Sequence, residues 1–331
     1  MRTALRRDDE VPDMTAADMT AADMTAAEAA VTPHVHEIAD GVYAYTHTRG
    51  GWCVSNAGVL TGPDGAVVID TLATEGRGRA LVEFVDGLGT GPARTIVNTH
   101  HHGDHNFGNH LFGPTAVVVG HDRIRPEMIE TGLALTELWP QVEWGDVRVT
   151  PPSITFSYHL TLHQGLRRVE LLHFGTAAHT TNDVVAWLPE ERVLFAGDLV
   201  MAGAAPFCLV GSISGSITTV RRLAALGAET VVAGHGPVTG PEIFDQTLRY
   251  LRWVQDLAAE GRALGLTPLA IALEADHGEF ADLLDQERLV GNLYRADAEL
   301  TGGLLGEALD VPAIFEEMVV YNGGQVPVCL A

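Results

Sequence analysis

Apolar positions along this chain come first in short runs and later in long helical stripes. Val35, Ile38, Val42 and Tyr45 alternate loosely around the turn Asp40-Gly41, which predicts a hairpin entering a sheet. Gly51 to Leu60 is a second strand-like run, and Gly62-Pro63-Asp64-Gly65 is a strong turn. Ala66-Val67-Val68-Ile69 is continuously apolar, as a strand buried on both faces would be, and it ends at Asp70. Arg77 to Leu88 places Leu81, Phe84, Val85 and Leu88 on one helical face. Thr95 to Asn98 and Ala116 to Val119 read as further strands. A second series follows at Ile154–Phe156, Leu160–Leu162, Val169–His173, Val184–Leu188 and Val193–Phe195. A helix over Gly215–Leu226 and a strand over Thr230–Ala233 close it. Strand-rich runs with helices thus occur twice, which predicts an α/β fold of two packed sheets with helices outside, in four αββα layers.

The character changes after Gly240. Pro241–Leu264 and Phe280–Leu300 are predicted as long amphipathic helices, with Phe244, Leu248, Leu251 and Val254 marking one face of the first. The expected organisation is a sheet domain over residues 33–240 and a helical C-terminal module over 241–331. Residues 13–27 repeat Asp-Met-Thr-Ala-Ala, too briefly for a solenoid, and residues 1–32 are read as a disordered tail.

Composition narrows the function classes. The chain has 331 residues, 46% of them hydrophobic, and 43 acidic against 20 basic residues give a net charge of -23. Such a surface repels phosphate backbones and anionic membranes. Cys53, Cys208 and Cys329 are scattered and odd in number, which suits neither a disulfide framework nor a thiolate metal motif and fits a reducing cytoplasm. Arg2, Arg6 and Arg7 are followed by Asp8, Asp9 and Glu10 rather than by the apolar core of a secretory signal. The uncharged stretch from Leu199 to Val220 contains Pro206 and several Gly and Ser residues, so it reads as a loop and the start of a helix, not a membrane span.

The chemistry is concentrated in Thr99-His100-His101-His102-Gly103-Asp104-His105. His100, His102, Asp104 and His105 form H-x-H-x-D-H on the loop after a predicted strand, where an α/β scaffold presents functional groups. Three later residues share this character. His179 lies in a Gly-started loop, Asp198 ends Leu194-Phe195-Ala196-Gly197-Asp198, and His235 sits between Gly234 and Gly236. Together these histidines and aspartates offer enough N and O donors for two metal ions. His110, His121 and His173 carry no such pattern and are read as caps or solvated side chains.

This order of motifs resembles the metallo-β-lactamase superfamily over roughly residues 33–240. The resemblance implies that His100, His102 and His179 hold a first metal, that Asp104, His105 and His235 hold a second, and that Asp198 bridges both. It also implies that Asp70 braces the ligand loop. A member of this superfamily is expected to be a two-metal hydrolase, usually with zinc, whose ions acidify water and polarise a carbonyl. Asp104 and Asp198 are the expected catalytic carboxylates. Members that open β-lactams usually carry Cys or Ser at the place of Asp198, whereas Asp is similar to the glyoxalase II-like thioesterases and lactonases.

A narrower resemblance lies outside the ligands. Gly51-Trp52-Cys53-Val54-Ser55-Asn56-Ala57-Gly58, Thr131–Thr136, Tyr250-Leu251-Arg252-Trp253-Val254-Gln255 and Tyr321-Asn322-Gly323-Gly324-Gln325 are similar to the second-ring cyclase/thioesterases of actinobacterial aromatic (type II) polyketide pathways, actinorhodin type. That implies an acyl carrier protein-bound or free polyketide thioester as substrate, aldol closure of a later ring, and thioester hydrolysis. Trp52, Phe107, Trp139, Trp144 and Phe207 are the candidate aromatic lining of such a pocket. An acidic carrier protein would need a basic patch, for which Arg123, Arg125, Arg221 and Arg222 are candidates. The alternatives are a glyoxalase II-like hydrolase of a small thioester or lactone, and a binding or redox protein on the same fold, such as a mononuclear iron dioxygenase.

Overall fold

The computed structural model describes residues 32–331. The expected tail therefore lies, except for its last residue, outside the described residues. Among the described residues, a seven-stranded sheet runs in chain order: β1 (Pro33–Ala39), β2 (Val42–His47), β3 (Ala57–Leu60), β4 (Ala66–Ile69), β5 (Ala93–Val97), β6 (Val117–His121) and β7 (Ile154–Phe156). A five-stranded sheet holds β8 (His159–Gln164), β9 (Arg167–Leu172), β10 (Val185–Leu188), β11 (Val193–Gly197) and β12 (Thr230–Ala233) in reverse spatial order. The α-helices among the described residues are α1 (Glu75–Gly87), α2 (Gly103–Asn106), α3 (Ile124–Thr131), α4 (Ala134–Leu138), α5 (Ile213–Ala225), α6 (Glu242–Ala263), α7 (Pro268–Glu274), α8 (Arg288–Leu300) and α9 (Val311–Tyr321).

Successive side chains of the buried strands enter different layers. Val67 and Ile69 of β4 face the second sheet, while Ala66 and Val68 pack with Leu81 and Val85 of α1. In β11, Val193 and Phe195 meet the first sheet, while Leu194 and Ala196 pack with Ile217 and Val220 of α5 and with Leu251 of α6. A strand's period of two turns each unbroken apolar run into a strand covered on both faces. The result is the expected four-layer sandwich with helices outside.

The C-terminal helices share a core with the second sheet. Phe244, Leu248, Leu251 and Val254 of α6 and Leu289, Val290 and Leu293 of α8 join the cluster that includes Leu194, Val231 and Ala233. Caps mark where helices begin. The Ser212 hydroxyl accepts from Gly215 N at the start of α5, and Thr267 accepts from Ala270 N ahead of Pro268 in α7.

Two expected elements differ. The strand-like run from Gly51 begins only at Ala57, because Cys53 has φ 59° and Val54 N donates to Gly51 O in a tight turn. The helix expected over Phe280–Leu300 is broken: a short 3-10 turn ends at Phe280, Asp285 has φ 59°, and α8 starts at Arg288. A left-handed residue cannot continue a right-handed helix, however regular the apolar spacing.

Parallel pairing sets the position of the site. β4, β5, β6 and β7 run parallel, as do β11 and β12. Asp70, the loop from Asn98 to His105, Asp198 and His235 all follow the carboxyl ends of these strands, and in both sheets they reach one edge of the sandwich.

Candidate metal centre

The ligand loop is fixed by a carboxylate buried beneath it. Asp70 follows β4 in the left-handed region at φ 58°, uncommon for a residue with a side chain and associated with functional positions. Pairing of Ile69 with Val97 sets it beside Thr99. Its Oδ1 accepts from Thr99 N at 2.8 Å, and its Oδ2 accepts from Thr99 Oγ1 at 2.7 Å and from His105 Nδ1 at 2.8 Å. Thr99 Oγ1, having spent its proton on Asp70, is left to accept from His100 Nδ1 at 3.0 Å. One aspartate thus orients a histidine of each ligand set.

The remaining histidines are oriented by carbonyls. His179 Nδ1 donates to Phe207 O at 2.5 Å, and His235 Nδ1 donates to Gly51 O at 3.1 Å. These bonds fix the tautomers, so that His100, His105, His179 and His235 all turn an Nε2 lone pair inward. His102 instead presents Nδ1, which lies 3.1 Å from His100 Nε2 and 2.9 Å from His179 Nε2.

The donors fall into two sets. His100, His102, His179 and Asp198 form one, and Asp104, His105 and His235 the other, with the donor atoms of each set within 4.8 Å of one another. Asp198 joins them. Its Oδ2 is 3.4 Å from His179 Nε2 and 3.4 Å from His235 Nε2, and its Oδ1 is 3.2 Å from His105 Nε2. Gly234 makes this approach possible: a Cβ there would lie 1.8 Å from Asp198 Oδ1. His105 Nε2 and Asp198 Oδ1 are fully buried and have no hydrogen-bond partner among the described residues. Orphaned donor atoms at the centre of an imidazole and carboxylate cluster fit a pair of divalent cations.

Charge in the bare cluster is divided accordingly. Burial lowers the pKa of His100 and His102 well below the usual imidazole range, with neighbouring histidines adding to the effect. Burial works the same way on His235, but Asp198 and Asp104 outweigh it and lift the group to about 9. Asp104 also feels burial, yet His105 and His235 hold it down at about 2. Neutral imidazoles at His100 and His102 and ionised carboxylates at Asp104 and Asp198 are the forms that bind metal.

Every residue expected as a ligand is in this centre, and Asp70 stands under it. The expected aromatic lining divides. Trp52 and Phe207 are half-buried and meet edge-on with ring centres 5.2 Å apart; Trp52 follows Gly51, which holds His235, and Phe207 itself holds His179. Phe107 and Trp139 are core residues instead, at 2% and 0% exposure. The Phe107 ring fills the space above Gly103, and the Trp139 indole donates to Pro327 O at 2.7 Å. Trp144 packs with them and donates to Trp139 O. His121 and His173 stack with centroids 4.0 Å apart, bonded to Ser157 O and Asp183 O. Arg125 and Arg222 are bound to the carbonyls of Pro152 and Phe174.

Helix α8 supplies supports that the sequence reading missed. Asn292 donates to Pro206 O and accepts from Cys208 N, clamping both sides of Phe207. The buried Arg288 guanidinium lies 4.2 Å from the Trp52 ring centre and donates to Ala205 O, while Glu287 accepts from the Trp52 indole at 2.6 Å. Arg288, Asn292 and Arg295 sit at helical spacing on the apolar face of α8, and polar residues on such a face are the signal that was available.

Residues 50–235 match the family model described as the metallo-beta-lactamase superfamily, more than half of the chain. The chain belongs to the metallo-beta-lactamase superfamily. A linear primary-alkylsulfatase from a Pseudomonas species is 24% identical over 255 residues, covering 63% of this chain and 48% of that one. This chain thus spans about half the length of that relative. A type 2 metallo-beta-lactamase from Bacteroides fragilis is 25% identical over 224 residues, 64% of this chain and 83% of that one. Among solved structures, a metallo-beta-lactamase from Pontibacter korlensis aligns with TM-score 0.54 at 23% identity, covering 67% of this chain and 99% of its own. One from Pseudomonas aeruginosa in a mono-zinc form gives 0.52 at 19% identity, covering 68% and 96%. These two structures share the fold. Superfamily membership and the two donor sets support a metal-dependent hydrolase. Among the described residues, no helix is long and apolar enough to cross a membrane.

Proposed function

We propose that this protein is a dinuclear zinc thioesterase and cyclase that closes a later ring of an aromatic polyketide and hydrolyses its acyl carrier protein thioester. The observation that carries the reading is the Trp52–Phe207 pair beside the metal ligands, with Glu287, just ahead of α8, and Arg288, its first residue, holding Trp52 in place. A planar, partly aromatised chain packs well against such rings, whereas a short acyl group leaves them unused. The resemblance of residues 51–58 and 321–325 to polyketide cyclase/thioesterases supports the same substrate class.

His100, His102, His179 and Asp198 would hold one divalent cation and Asp104, His105 and His235 a second, and when bound these would supply Lewis acidity toward carbonyl oxygens and acidify water. The protein's own groups do the rest. Asp70 and the carbonyls of Gly51 and Phe207 keep the imidazoles in register. Asp104 and Asp198 are carboxylates that can hold water by accepting its proton in a hydrogen bond. Burial of the cluster excludes bulk solvent, so a polyketone chain seated on Trp52 and Phe207 meets its own carbonyls before it meets free water.

The test offers a short acyl thioester and an aromatic polyketide thioester mimic side by side. Preference for the mimic, with a ring-closed acid as product, is the expected result. Equal or better turnover of the short thioester, with no cyclised product, overturns the reading in favour of a general thioesterase.

A further inference from the structure

The cysteines are not equivalent. Cys208 is buried with its sulfur 3.3 Å from Ser216 Oγ, in a different cluster from the others. Cys53 and Cys329 lie together. Trp52 and Cys329 pair as an isolated parallel bridge, and Cys53 follows Trp52 in the tight turn, so the two cysteine backbones lie one residue out of step across that bridge. Both residues belong to the cluster of Trp52, Phe107, Trp139 and Trp144, Cys53 buried in it and Cys329 packed against it. Cysteines can be joined when their Cα atoms are within about 7 Å and their side chains converge. The bridge at the adjacent residue sets the two backbones side by side, and both side chains pack into one cluster.

We propose that Cys53 and Cys329 are a reversible redox pair whose disulfide ties residues 327–331 to the loop beneath the second ligand set. That loop carries Gly51, whose carbonyl holds His235, and Ser55, whose hydroxyl donates to Asp104 O at 2.5 Å. The segment it would secure is also held by the packing of Cys329 and Ala331 against that cluster and by polar contacts. Trp139 Nε1 donates to Pro327 O and Arg77 Nη2 donates to Leu330 O, each at 2.7 Å.

Cys329 is half-exposed and Cys53 is 2% exposed, so an oxidant reaches Cys329 first. A peroxide oxidises the Cys329 thiol to a sulfenic acid and is itself reduced to water or an alcohol. The Cys53 sulfur then attacks the Cys329 sulfur, the S–S bond forms, and the sulfenic oxygen leaves as a second water with the thiol proton. The two electrons come from the two thiols. A dithiol reductant reverses the step by exchange.

The experiment treats the full chain with hydrogen peroxide, alkylates under denaturing conditions and maps the peptides. The expected outcome is loss of two of the three alkylatable thiols, a linked peptide containing Cys53 and Cys329, and recovery of both thiols with dithiothreitol. Cys208→Ser should leave the link intact. Cys329→Ser should abolish it while Cys53 stays alkylatable. The proposal is overturned if Cys53 remains fully alkylatable in oxidised wild type, if Cys329 goes to a sulfinic acid alone, or if the linked peptide contains Cys208.

Discussion

Asp70 Oδ2 receives the Nδ1 proton of His105 at 2.8 Å while the same carboxylate holds Thr99, the residue that orients His100. A single buried acid between two strands therefore governs both halves of the ligand cluster. Removing it should loosen both. Asp70→Asn is expected to weaken metal binding about 10–100-fold, the usual consequence of losing a partner of a ligating histidine. Competition with a chromogenic chelator measures this, and unchanged affinity at both positions would remove the bracing role.

Asp198 contacts His105, His179 and His235 and so belongs to both sets. Asp198→Asn keeps the side-chain volume and removes the charge. Hydrolysis of any thioester substrate should fall by at least ~100-fold with circular dichroism unchanged. Full activity in this variant contradicts a bridging position.

Two donor sets predict two cations in each chain. Elemental analysis of protein purified without added metal should find two equivalents, with zinc the expected element. Because cations bind the folded state alone, chelation should lower the melting temperature. Restoring metal at 100 times its Kd should return about 2.7 kcal/mol per site. A single equivalent in active protein would point to the mononuclear alternative.

Asn292 reaches from α8 to both sides of Phe207, the residue whose carbonyl holds His179. Asn292→Ala leaves Cys208 N and Pro206 O without their partner in a fully buried site and should cost about 1–3 kcal/mol of stability. Its sharper signature is selective: the first cation should be lost at lower chelator concentration than the second. Equal loss of both would indicate general loosening only.

His47 gives a pH dependence that can be signed. It is buried, its Nδ1 donates to Ser55 O, and its Nε2 accepts from Arg77. Burial, then the Arg77 charge, hold its pKa at about 3 against 6.5 in the unfolded chain. The unfolded state therefore takes up the proton first as pH falls. The stabilisation is complete above about pH 6.5 and is lost progressively toward pH 3, by up to about 1.4 kcal/mol per pH unit. Denaturant titrations of metal-free protein from pH 7 to 5 should show a shallower slope for His47→Gln than for wild type. Parallel slopes would assign the acid sensitivity elsewhere.

Strand and ligand positions were legible because they depend on local rules. Val67 and Ile69 against Ala66 and Val68 need only a period of two, and H-x-H-x-D-H on a strand-following loop needs only donor chemistry. Helix breaks were less legible. The apolar spacing over residues 280–300 looked continuous, yet Asp285 at φ 59° interrupts it, and backbone handedness leaves no trace in hydrophobic periodicity. Trp139 shows the same limit for side chains: an aromatic residue in an insertion reads alike whether it lines a pocket or, as here, donates to Pro327 O inside a core.

By itself the sequence determined which residues can bind metal, since a donor's chemistry belongs to its side chain. It also determined which segments must be strands, since burial on two faces requires an unbroken apolar run. Only the tertiary structure decided that β5 and β11, from different sheets, end at the same edge and bring His105 within 3.2 Å of Asp198. Only it could place Cys329 against Cys53 and Asn292 beneath Phe207. Those contacts join residues far apart along the chain, and the packing of one layer on another, not any local preference, closes that distance.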